Sequence, residues 1–195
     1  MDHEAPHYLH QLPVPGQDEY ASLTLVNTRF TVSHGPVDLL EDPEAAHLWL
    51  VRHALLPDRA ALGGRQLSRL LALRDCVRVL FEARAAGGRP PADALATFNS
   101  ALAAAPSTPR LAWPADGPQR ADEPDAGNPA AAALSQLAED AAELLTGPEA
   151  EQLTACAAQG CDRWFLRAHA ARRWCTTKCG NRVRAARHYA ARKGG

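Results

Sequence analysis

Between residues 156 and 182 the chain reads CAAQGCDRWFLRAHAARRWCTTKCGNR, and four of its five cysteines fall there. Cys156, Cys161, Cys175 and Cys179 follow the pattern C-x4-C-x13-C-x3-C. Two close pairs separated by such a loop suit one tetrahedral Zn²⁺ with four thiolate ligands. A module this small buries too little apolar area to fold alone, so metal binding should drive its folding. All four positions are filled by protein, which predicts a structural ion and not a hydrolytic one. The N-terminus is polar and acidic, unlike a signal peptide. Clustered cysteines in an unexported chain favour zinc over disulfides, with a redox-labile disulfide pair as the alternative.

Within the module, Cys156 and Cys161 should form a knuckle in which Gly160 is free to take positive φ. Trp164 to Leu166 reads as a strand, with Arg172, Arg173 and Trp174 as its expected hairpin partner. Cys175 and Cys179 are four apart, which predicts both thiolates on one face of a first helical turn. Four thiolates and Zn²⁺ sum to a negative site, which Arg163, Arg172, Arg173, Lys178 and Arg182 would offset. His169, in the loop, is expected to face solvent or a phosphate.

The formal net charge of −1 conceals a division. Residues 1–150 carry 11 basic and 20 acidic side chains, a net of −9, whereas residues 151–195 carry 10 and 2, a net of +8. A compact segment at +8 attracts polyanions, and nucleic acid is the commonest. From Arg182 onward the chain reads as a basic helix. Val183, Ala186 and Ala190 recur at helical spacing and are expected to pack on the zinc site. Arg184, Arg187, His188, Arg192 and Lys193 then face outward. Arginine offers bidentate contacts to phosphate or guanine, so these residues, with Arg172, Arg173, Lys178 and Arg182, form the expected nucleic-acid surface. A solvated basic helix is the plainer reading of the same residues.

The preceding residues predict a mainly α domain over 21–150, behind a flexible arm over 1–20. In the arm His3, His7 and His10 could bind metal, but the prolines argue against a helix. Ala21 to Phe30 is apolar enough to be buried, as strand or helix, and is broken by His34, Gly35 and Pro36. Asp42, Pro43 and Glu44 mark a helix start, because Asp caps free N–H groups, Pro suits the first turn and Glu opposes the dipole. That helix, with Trp49, Leu50 and Leu55 apolar, should end at Pro57. Residues 65–86 form the longest helical pattern, whose apolar face also carries Arg74 and Arg78. Buried arginines need partners, either a structural ion pair or a bound anion. Cys76 reads as structural. Helices are also expected over 92–104, with Leu95, Phe98 and Leu102 on one side, over 128–146, and briefly from Glu149. A short hairpin should turn at Ala115, Asp116 and Gly117. His47 and His53 are six apart, on different faces of one helix, so they form no i, i+4 metal pair. There is no Gly-rich phosphate loop and no nucleophile with a base. No run of apolar residues reaches the length of a transmembrane helix.

Cys179, Gly180, Asn181 and Arg182 spell CGNR. With the upstream C-x4-C, the W-F-L strand and R-R-W-C, this stretch resembles the CGNR zinc finger. That module ends a family of bacterial proteins regarded as stress-induced transcription regulators, whose N-terminal part is called the ABATE domain. Leu25 to Thr28, Pro36 to Leu40 and the helix carrying Trp49 and Leu50 are similar to the opening of that domain. The resemblance implies a mostly helical N-terminal domain, a treble-clef-like finger over 151–195 with the four cysteines as zinc ligands, and DNA binding. The sequence thus predicts a cytoplasmic, non-enzymatic regulator. Its finger contacts DNA, and its helical domain senses a small-molecule or protein signal or forms a homodimer. The alternative is a zinc-thiolate module for protein interaction or redox sensing.

Overall fold

The computed structural model describes residues 13–32, 35–105, 108–123 and 127–193. His3, His7, His10 and His34 lie outside them. The architecture is mainly α, with three two-stranded antiparallel hairpins among the described residues. In order it runs α1 (Ala21–Val26), β1 (Arg29–Val32), β2 (Gly35–Asp38), α2 (Pro43–Arg52), α3 (Gly64–Ala85), α4 (Ala92–Leu102), β3 (Thr108–Ala112), β4 (Gln119–Glu123) and α5 (Pro129–Thr146). A 3₁₀ turn (Pro148–Glu151), β5 (Leu153–Ala155), β6 (Trp164–Leu166) and α6 (Thr177–Lys193) complete it. The long α3 and α5 form the centre, and their buried Leu70, Val77, Phe81, Leu137 and Leu144 meet Leu23, Leu25 and Val26 of α1.

Helix starts follow local capping chemistry. The Asp42 carboxylate accepts the Ala45 N–H at 2.8 Å, and Asn128 accepts the Ala131 N–H at 3.2 Å. The stretch of ambiguous periodicity, Ala21 to Phe30, divides into α1 and β1. No side chain of its own caps α1. Asp140 on α5 does so instead, accepting the N–H groups of Ala21 and Ser22 at 3.0 and 2.7 Å. Such a cap cannot be read locally, because 118 residues separate Ser22 from Asp140.

Two expected boundaries move. Helix α2 ends at Arg52, five residues before Pro57, because Ala54 adopts φ 56° and the chain turns there. Leu55 packs on the core from beyond the helix. On α4, Phe98 is buried but Leu95 is 45% exposed, so the expected apolar face is narrower. The expected hairpin is present as β3 and β4, with Leu111 opposite Arg120 and Gly117 at φ 116° in the turn.

The arginines on the apolar face of α3 have structural partners. Arg74, 3% exposed, forms a two-pronged pair with Asp38 at 2.6 and 2.7 Å and also donates to the Thr28 hydroxyl at 3.1 Å. Arg78 donates to the carbonyls of Val26, Arg29 and Asp162. Burial raises the Asp38 carboxyl, but the Arg74 hydrogen bond, the Leu40 N–H and the arginine charges outweigh it and leave the group below its ordinary value. A depressed folded-state value contributes stability that is present at neutral pH and lost as pH falls through that value. Asp38→Asn is therefore expected to cost about 3 kcal/mol at pH 7, because it leaves buried Arg74 with only the longer contact to exposed Asp75, at 3.7 Å. The gap between variant and parent in urea midpoint should close below the usual carboxylate range. A gap that does not change with pH would contradict this.

Candidate metal centre and basic helix

Strand β6 is the seam of the molecule. Its side chains alternate between faces, as in any strand, yet all three are buried. Trp164 and Leu166 enter the helical core, and Trp164 meets Phe81 with ring centroids 5.7 Å apart. Phe165 points the other way, into a second cluster with Cys156, Cys175, Cys179 and Val14. Asn27 clamps the Trp164 backbone at both ends, donating to its carbonyl at 2.9 Å and accepting its N–H at 2.8 Å. The pairing partner of β6 is β5, with Thr154 opposite Phe165, and not the stretch from Arg172 to Trp174. That stretch instead supports the knuckle, where the Arg173 carbonyl accepts the Ala157 N–H at 2.9 Å. A knuckle flanked by apolar residues on both sides admits either pairing from sequence alone.

The knuckle closes as expected. Cys161 donates its N–H to the Ala158 carbonyl at 3.0 Å, and Gly160 sits at φ 70°. Cys175 lies two residues before α6 and Cys179 in its first turn, so the second pair spans the helix start. Thr176 caps that turn by accepting the Cys179 N–H at 3.4 Å. The four sulfurs lie within 4.8 Å of one another, with Cys161 to Cys175 at 3.8 Å and Cys175 to Cys179 at 3.7 Å. A tetrahedron with Zn–S bonds of about 2.3 Å has edges of about 3.8 Å. The donor set and its spacing therefore fit one zinc ion. Hydrogen bonds from the Cys161 and Cys175 thiols favour the Cys156 thiolate and push its pKa down, while the same bonds push Cys161 and Cys175 up. Four thiolates this close cannot all ionise without a cation between them.

The CGNR residues divide the remaining work. At Gly180 an added Cβ would come within 3.2 Å of the Trp174 ring and 3.3 Å of the Arg184 guanidinium, a tight contact that favours glycine here. Asn181 accepts a hydrogen bond from Arg184. Arg182 reaches back to the knuckle, donating to the Gln159 carbonyl at 3.1 Å, and lies 3.9 Å from the Cys179 sulfur.

Residues 152–192 match the family described as "CGNR zinc finger", and residues 19–148 match ABATE, described as "Putative stress-induced transcription regulator". The chain belongs to the ABATE family. Its CGNR finger holds one structural zinc ion. No curated protein matches the chain. Neither family description names a catalytic activity. Among the described residues no helix is long and apolar enough to cross a membrane.

The basic residues of the CGNR finger fall into two groups. Arg172 is half-buried, donates to the carbonyls of Trp174 and Cys175 at 3.2 and 2.8 Å, and lies over the Phe165 ring. Arg182 and Arg184 are held by the contacts above, and Arg184 also lies over Trp174. Arg173, Lys178, Arg187, His188, Arg192 and Lys193 are open to solvent. Of the three α6 residues expected to pack on the zinc cluster only Val183 does so, whereas Ala186 and Ala190 are exposed. The 17-residue helix spans about 25 Å and outruns the small core beneath it. His169 is exposed, as expected.

Sequence reading missed the braces between the finger and the ABATE part. Val14, expected in a flexible arm, is 2% exposed within the zinc cluster, and Leu166 donates its N–H to the Pro15 carbonyl at 3.0 Å. Arg163, expected to offset thiolate charge, is 9% exposed and donates to Gln17 at 3.2 Å. The available signal was Asn27, an amide within an otherwise apolar stretch, which a buried site must satisfy.

Proposed function

We propose that the chain is a zinc-dependent DNA-binding transcription regulator of the cytoplasm. The CGNR finger and α6 contact DNA, while the ABATE part senses a signal or mediates dimerisation. One observation carries the reading: α6 leaves the zinc cluster with its outer two-thirds exposed on every side and its free cations there. A helix end exposed all round, with only alanine and Tyr189 between its cations, gains little from packing, so a polyanion is its natural counterpart. Arg187, Arg192 and Lys193 supply the phosphate contacts, with Arg173 and Lys178 at the finger's edge. Arg172, Arg182 and Arg184 act by holding the finger together.

The test uses the full-length, zinc-loaded chain, because its finger shares a core with the ABATE part. Gel shifts on mixed duplexes should give an affinity that falls with salt. Arg187→Ala and Arg192→Ala should each weaken binding by about 3- to 10-fold and reduce the log–log salt slope by about 1, while zinc content stays unchanged. Absence of binding to any duplex at low salt would refute the proposal and favour a protein-interaction role.

A further inference from the structure

Residues 184–193 of α6 are exposed without a break, while the base of the helix is fixed. Gly180 lies against Trp174, and Arg184 folds back over that ring and onto Asn181. An α-helix turns by about 100° and rises by about 1.5 Å per residue. Arg187 and Arg192 therefore stand about 140° apart around the axis and about 7.5 Å apart along it. Neither has a hydrogen bond or ion pair among the described residues. The shorter arc between them carries Arg184, His188 and Ala191. With Arg184 drawn back to the helix base, this arc presents His188 and Ala191 between two free guanidinium groups.

Guanidinium groups that diverge this far do not both meet the phosphates of one strand. They suit two phosphate walls with the helix between them. A helix is about 10–12 Å across with its side chains, and less beside alanine. The major groove of B-form DNA is about 12 Å wide and admits it, whereas the minor groove, about 6 Å wide, does not. The major groove of an RNA duplex is too deep and narrow for side chains to read. On the floor of the DNA major groove every purine presents its N7 atom as an acceptor. An imidazole carries at least one N–H donor in either charge state. His188 makes no hydrogen bond among the described residues, and the edge-on Tyr189 ring, with centroids 6.2 Å apart, steadies its own.

We propose that α6 enters the major groove of B-form DNA and that His188 is a base-reading residue, donating to purine N7. Arg187 and Arg192 lie on phosphates of opposite strands, and Ala191 is small enough to let the helix approach the base edges. This rests on the DNA-binding reading of the finger and names the groove and the side chain that reads it.

The test compares the affinity of the full-length, zinc-loaded chain for a mixed-sequence DNA duplex with that for the same duplex built from 7-deazapurines. These lose the N7 acceptor and leave the minor groove unchanged. The parent chain is expected to bind the ordinary duplex about 3- to 10-fold more tightly, the ratio that one hydrogen bond supplies. His188→Ala should abolish that preference with zinc content unchanged, whereas Tyr189→Phe, which removes only the neighbouring hydroxyl, should keep it. Equal binding of the two duplexes by the parent would overturn the proposal. So would a preference that survives His188→Ala or disappears in Tyr189→Phe, or equally tight binding of duplex RNA of the same sequence. No binding to any duplex would overturn the DNA-binding reading along with it, whereas DNA binding without an N7 preference removes only the groove assignment.

Discussion

Replacing Cys175 with alanine is expected to abolish zinc binding and to unfold the finger. This sulfur is central to the cluster, 3.8 Å from that of Cys161 and 3.7 Å from that of Cys179, in a residue only 1% exposed. Its N–H also donates to the Cys156 sulfur at 3.4 Å. Structural zinc contributes about 10–16 kcal/mol in isolated finger peptides, as much as the whole stability of a typical domain. Cluster residues other than the ligands, chiefly Val14, Ala158 and Phe165, cannot replace that contribution. Elemental analysis should fall from one zinc per chain to under about a tenth. Near-UV circular dichroism should lose the aromatic signal of the finger. Chelation of the parent should do the same, and acidification should too, because every ligand must shed a proton to bind the ion. Retention of stoichiometric zinc by Cys175→Ala would refute the four-thiolate assignment.

Trp164→Ala should destabilise the chain by about 3–5 kcal/mol while leaving zinc bound. The indole is 4% exposed and fills the space between Phe81 and the α1 side of the core, so its removal leaves a cavity. The backbone clamp by Asn27 persists in the variant, which limits collapse into the gap. Phe165→Ala removes a ring of similar burial from the opposite face of the strand. It should instead weaken zinc retention, because that ring packs on the ligand cysteines. Urea midpoints and chelator competition on both variants separate these effects. A loss below about 1 kcal/mol for Trp164→Ala would show that the strand does not join the two cores.

Much of this molecule was legible along the chain because its signals are local. The spacing of the cysteines gave the metal site, Asp42 and Asn128 gave helix starts, and Gly117 marked the hairpin turn. Where the signal is not local, the structure is not legible along the chain. Apolar residues in β6 announce burial but not which strand pairs with them, and the choice of Leu153–Ala155 over Arg172–Trp174 is tertiary. The cap on α1 comes from Asp140, which no capping rule would place there. Periodicity put Ala186 and Ala190 on an inner face, but a periodic stripe says nothing about whether a core extends far enough to meet it. Val14 looked like part of a proline-punctuated arm because a single apolar residue carries no period.

The seam strand and its braces also bear on the order in which the chain acquires its structure. Asn27 and Trp164 are 137 residues apart, Gln17 and Arg163 are 146 apart, and Tyr20 and Glu149 are 129 apart. Such contacts carry the loop-closure entropy of nearly the whole polypeptide before they yield any stabilisation. During synthesis α3 and α4 can pair while the ribosome is still extending the chain, but Val14 has no seat until Cys175 and Cys179 have emerged. Metal capture thus waits for the last of the four cysteines to emerge, and the zinc ion acts as the latch that closes a ring of sequence-distant segments.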